Sequence, residues 1–147
     1  MIRSEQIQIP VPTNATLKGP RLTHDENRVT VAYDCERSDG TVVWAELVFD
    51  EVLAIEYRTS VCCEGEHVVA PSYIARYTES AWLSRTRELW SASVGWQKYE
   101  QSKGGAERFS HYRLYFDDAA CIQLIAAALR IAGTSSEEAV PSPSPTH

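Results

Sequence analysis

His111-Tyr112-Arg113-Leu114-Tyr115-Phe116-Asp117-Asp118-Ala119-Ala120, continuing into Cys121-Ile122-Gln123-Leu124-Ile125-Ala126-Ala127-Ala128-Leu129-Arg130-Ile131, is the stretch on which the fold turns. Its first half reads as a strand, with Tyr112, Leu114 and Phe116 alternating onto one face. The second half reads two ways. Ala126, Ala127 and Ala128 favour a helix, Asp118 could act as its N-cap, and Gly133 stands where a C-terminal cap belongs. Such a helix gathers Ile122, Ile125 and Leu129. A returning strand instead sets Ile122, Leu124 and Ala126 across a ladder from Tyr112, Leu114 and Phe116. Propensity alone leans to the helix.

Upstream, one helix is well marked. Ser80 can cap a segment starting at Ala81, and Trp82, Leu83, Thr86, Leu89 and Trp90 share a face at spacings of three, four and seven. Ser84, Arg85, Arg87 and Glu88 take the other face, and Gly95 ends the regularity. Residues 97–108 read as a polar surface loop. Further back, Val29, Val31 and Tyr33 alternate with polar or small residues as a strand. Asp39-Gly40 marks a hairpin, since both residues tolerate positive φ. Two more β-rich runs follow, Thr41 to Phe49 and Glu51 to Arg58, with a tight turn or a bulge at Asp50-Glu51. Three consecutive antiparallel strands are the economical arrangement. Gln6 to Ile9 reads as an edge strand ended by Pro10, and residues 18–27 as a loop. Residues 60–73 break the pattern at Gly65 and Pro71.

The chain has 147 residues, 44% hydrophobic and 23% charged, which suits one globular domain. That domain is expected over residues 1–133. Residues 134–147, rich in Ser and Pro, read as a disordered tail. The fold class expected is α+β: an antiparallel sheet of about five or six strands with one amphipathic helix packed on one face. The net charge of -6 disfavours nucleic-acid backbones and favours a basic protein surface as partner. No apolar run reaches the ~20 residues that span a bilayer. The N-terminus lacks a secretory pattern, so a cytoplasmic location is expected and Asn14-Ala15-Thr16 carries no weight as a glycosylation site. Cys35, Cys62, Cys63 and Cys121 are too sparse for a disulfide scaffold, and reduced thiols are expected.

The aromatic strand ending in Phe116-Asp117-Asp118, the following Cys121-Ile122-Gln123-Leu124-Ile125-Ala126 and the upstream Ser80-Ala81-Trp82-Leu83 resemble a pattern of small uncharacterised bacterial α+β proteins. Some of these resemble immunity proteins for polymorphic toxins. The likeness covers about a third of the chain, and this chain has Ala119-Ala120 where the pattern has Gly. The resemblance implies a strand hairpin rather than a terminal helix. It also implies a bacterial, non-catalytic binding protein whose partner is a cognate toxin.

Chemistry-bearing groups are few. Cys63 and His67 have half a metal-site spacing that Cys62, His111 or Cys121 could complete, but isolated cysteines usually pack in cores. Asp117 or Asp118 could work with His111 as acid and base. Along an extended strand, however, His111 and Asp117 stand about 20 Å apart. A Cys nucleophile beside His67 has no recognisable oxyanion hole. No catalytic residue, metal or cofactor is therefore expected. A partner-binding set is: Glu64, Glu66, Glu79, Asp117 and Asp118, with Tyr115 and Trp96 as aromatic anchors. The competing reading is a small enzyme or ligand binder with a pocket between helix and sheet.

Overall fold

The computed structural model describes residues 4–93, 105–117 and 119–135. Within them run β1 (Ser4–Gln8), β2 (Arg21–Asp25), β3 (Arg28–Glu36), β4 (Val42–Thr59), β5 (Tyr73–Tyr77), α1 (Ala81–Ser91), β6 (Ser110–Phe116) and β7 (Ala120–Ser135). The strands form one antiparallel sheet in the order β1-β5-β6-β7-β4-β3-β2. The α+β class stands, with seven strands among the described residues rather than five or six.

Residues 120–131 are strand, not helix. Every residue from Ala120 to Ala126 is buried because both faces of this part of β7 are covered. Ile122, Leu124 and Ala126 enter the main core. On the opposite face Ile125 meets Leu83 and Phe109. Burial on both sides removes the alternation that marks a half-exposed strand. β7 also continues through Thr134 and Ser135, which pair with Ala45 and Trp44.

The runs on either side of Asp50 form a single strand, so of the turn or bulge expected at Asp50-Glu51 the structure has an irregularity within β4, and the three consecutive antiparallel strands are β2, β3 and β4. β4 bends without reversing: Glu51 has φ of 50°, and the register against β7 shifts between Val52 and Ala54. Arg28 and Arg130 hold Asp50, and Arg108 holds Glu51, each through a 2.8 Å contact. The Asp39-Gly40 hairpin is present, with Gly40 at φ 87° and Thr41 N–H donating to Asp39 Oδ1. β2 occupies part of the segment expected to be loop. β5 begins at Tyr73, at the end of the expected break.

The long β4–β7 ribbon staggers the sheet. β3 pairs with the Val42–Phe49 half of β4, and β6 pairs with the Ala120–Ala126 half of β7. The two wings then fold over each other. Tyr33 of β3 meets Phe116 of β6 edge-on at 5.3 Å, although two strands separate them in the sheet. Phe49 meets Tyr112 in the same way at 5.4 Å. A strap of residues 9–18 joins the wings. Ile9 N–H donates to Ser72 O, Thr13 N–H to Pro71 O, and Glu36 N–H to Ala15 O. Tyr33 Oη donates to Val11 O at 2.6 Å.

α1 packs on the outer face of the sheet. Leu83, Thr86, Arg87 and Trp90 form its inner stripe, and Leu89 is 61% exposed rather than buried. Arg87 takes the inner position because its guanidinium donates to Phe109 O at 2.6 Å. The expectation of reduced thiols fails at one pair. Cys63 and Cys121 are joined in a disulfide 58 residues apart in sequence, while Cys35 is buried and Cys62 exposed as free thiols. β7 carries Cys121 directly beneath the loop after β4, a proximity that sequence spacing cannot reveal.

Candidate functional site

Antiparallel register stacks three polar residues in one row across the outer face: Arg113 of β6, Gln123 of β7 and Glu56 of β4. The start of α1 stands over one side of this row. The loop of residues 60–70, tied to β7 by Cys63–Cys121, stands over the other. Between them lies a cleft of about 380 Å³, with Ser80, Trp82 and His111 at the helix side and Arg58, Glu66 and His67 at the loop side.

The hydrogen-bond polarity in this cleft is forced by chemistry. Arg113 Nε can only donate, and it reaches Gln123 Oε1 at 2.8 Å. The Glu56 carboxylate can only accept, and it receives Gln123 Nε2 at 2.6 Å. The amide of Gln123 therefore has one orientation. His111 Nε2 lies 2.6 Å from the same Oε1 and so must carry the proton. His111 Nδ1 is then a bare lone pair, and Ser80 Oγ, 2.8 Å away, donates to it. Ser80 Oγ in turn accepts Leu83 N–H at 3.0 Å, capping α1.

His111 is clamped on all sides. Trp82 meets its ring edge-on at 5.0 Å and Tyr77 lies tilted at 5.4 Å. Burial pushes its pKa below the ordinary histidine value, with Arg113 adding in the same direction, so the ring is neutral at neutral pH. Burial alone would raise the Glu56 carboxyl. Hydrogen bonds from Arg58 and Gln123 outweigh it and hold the group below its usual range.

The loop side is equally well fixed. Glu64 N–H donates to His67 Nδ1 at 2.9 Å, and Arg113 donates to Glu66 O at 2.9 Å. Arg58 donates to Cys62 O and to Glu64 Oε1. Yet the loop turns apolar side chains outward. Val61 is 89% exposed and Val68 57% exposed.

Of the residues expected to bind a partner, Glu64 and Glu66 come together on this loop. Glu79 is exposed directly before Ser80. Tyr115 lies half-buried opposite Cys121. Asp117 is exposed beyond the far end of β6, and Asp118, Trp96 and Tyr99 lie outside the described residues. The structure does not bring Asp117 to the cleft or to His111. Cys63 and Cys121 are oxidised to one bond rather than free to act as thiolates, and among the described residues no three His, Cys, Asp or Glu side chains are grouped to hold a metal. Sequence reasoning missed Gln123, Arg113 and Glu56 as a set. Their only sequence signal is a polar residue interrupting an apolar run at Gln123.

These features define an antiparallel α+β protein with a polar cleft between its helix and its sheet. Among the described residues no helix is long and apolar enough to cross a membrane. No family model matches the chain, and no curated protein or solved structure matches it either.

Proposed function

We propose that this chain is a protein-binding module of the bacterial immunity type, docking through its 60–70 loop onto a basic partner surface such as a toxin's active-site face. One observation carries the reading: the loop is pinned at several points while it displays Val61 and Val68 beside the acids Glu64 and Glu66. A loop held in its binding shape loses little entropy on association. Exposed apolar groups ringed by charge are the composition of a contact patch. The acidic balance of the chain steers a basic partner toward it. The reading requires no cofactor. The disulfide bears on location: such bonds persist in oxidising compartments, so it weighs against the cytoplasmic expectation.

The test is calorimetry of the full chain against the purified product of the adjacent gene in its genome. One-to-one binding is expected, weakened at least about tenfold by Glu64→Lys with Glu66→Lys, with the loss mainly in association rate. Absence of binding, or affinity indifferent to these changes and to Val61→Asp, sinks the reading. A pocket protein is the second reading, favoured by the cleft between Ser80 and Gln123.

A further inference from the structure

We propose that Ser80 is a nucleophile activated by His111, and that it takes the acyl group of a small ester bound in the cleft between α1 and the sheet. This goes beyond the docking reading and stands on different residues. Three features of the cleft carry it.

The first is the direction of the protons. The sequence Glu56, Gln123, His111, Ser80 is a continuous chain in which each step has one permitted polarity. It ends with the hydroxyl proton of Ser80 aimed at an imidazole lone pair, the ground state of a serine primed by a general base. The second is the base itself. A neutral ring with its far nitrogen tied to Gln123 Oε1 can accept a proton at Nδ1 without turning. The charge it then gains lies one amide away from the Glu56 carboxylate. Gln123 and Glu56 are thus positioning residues. The third is the setting. Ser80 lines a cleft of about 380 Å³, a size that suits a small molecule. Ala81 and Trp82 border the same cleft at the start of α1, where the first backbone amides have no intrahelical acceptor. Those amides can donate to an oxyanion.

The step balances as an ordinary acyl transfer. The Ser80 Oγ–carbon bond forms as the hydroxyl proton passes to His111 Nδ1. The ester C–O bond then breaks, and the departing alkoxide takes that proton from His111. Water attacks the acyl-serine by the reverse relay and releases the acid.

The experiment uses the full chain, a fluorophosphonate probe, and p-nitrophenyl acetate as the ester. Fluorophosphonates form an Oγ–phosphorus bond and expel fluoride, and the adduct is located by peptide mass. Labelling confined to Ser80 is expected, faster than in the urea-unfolded chain by on the order of a hundredfold. Ser80→Asn keeps a good N-cap and removes the hydroxyl, so it should fold, show no adduct and lose ester turnover. Glu56→Gln should move the pH midpoint of labelling downward, because the carboxylate favours protonated His111. A merely structural role for Glu56 would leave that midpoint in place and remove it from the relay. Failure of the folded wild-type chain to label, or equal labelling when unfolded, overturns the proposal. Neither result bears on the docking loop, whose test reads partner affinity.

Discussion

Gln123 serves three neighbours with one amide: it accepts from Arg113 and His111 and donates to Glu56. An apolar side chain of similar reach takes one hydrogen bond from each of the three in a largely buried row. Each orphaned group costs about 1–3 kcal/mol where water cannot replace the partner. Arg113 keeps its bond to Glu66 O and Glu56 keeps Arg58, which limits the damage. Gln123→Leu should therefore destabilise the protein by about 2–4 kcal/mol in urea denaturation. A loss under about 0.5 kcal/mol would mean the row is already hydrated. His111 adds a pH dependence. Its folded-state pKa lies below the value of 6.5 expected when unfolded, so the unfolded chain binds the proton more tightly. The groups facing it set the balance: Arg113 and His67 oppose its charging, and Glu56 favours it. Its contribution to stability is complete above the unfolded value. It declines as the pH falls below that value and is gone once the pH passes the folded one. Urea midpoints should fall with acidity through this window, and His111→Gln should flatten that slope.

The elements differ in how plainly their sequences announce them. In β3 Val29, Val31 and Tyr33 enter the core while the small or polar Thr30, Ala32 and Asp34 take the other face, so the alternation is visible although Ala32 and Asp34 are buried too. α1 is announced by Ser80, although its inner stripe is shifted because a hydrogen-bonding Arg87 replaces Leu89. β2 and β5 are five residues each and mixed in polarity, and their strand character comes from their neighbours. β7 hides its period under burial on both faces. The cleft was less legible still. Ser80 can be read as a cap and His111 as a titratable group, but their meeting depends on α1 crossing β6. The Arg113–Gln123–Glu56 row depends on register across three strands. In β4, Asp50-Glu51 looks like a turn because it supplies the bend of one. Glu51 holds a left-handed φ of 50°, a region costly for side chains and worst for branched ones. Glu51→Val should cost about 2 kcal/mol, from backbone strain and the lost contact to Arg108. Glu51→Gly loses only the contact and should stay within about 1 kcal/mol of wild type. Equal costs for the two would show that the bend is not stored at this residue.

At the scale of the molecule, the sheet must bring two offset wings face to face, and the 9–18 strap ties them on the open side. Asp34 is its main anchor on the β3 wing. Its carboxylate is almost wholly buried and accepts Leu17 N–H at 3.0 Å and Lys18 N–H at 3.1 and 3.2 Å. Bonds from backbone amides to a carboxylate are among the stronger kinds, worth about 1.5–3 kcal/mol each. Thr13 anchors the other wing through Pro71 O, and Tyr33 joins strap to core through Val11 O. Removing the carboxylate should therefore release the strap before it disturbs the β4–β7 ribbon, whose pairing does not use it. Asp34→Ala should cost about 2–4 kcal/mol, and Asp34→Asn less, since the amide oxygen can still accept. Amide exchange should rise first in residues 9–18 and later in β6 and β7. Exchange that rises evenly in both regions would mean that strap and sheet open as one unit. The cleft lies on the outer face, and the 60–70 loop is held by Cys63–Cys121, Arg58 and Arg113 rather than by Asp34, so the Ser80 adduct and partner affinity should both survive Asp34→Asn wherever the chain remains folded.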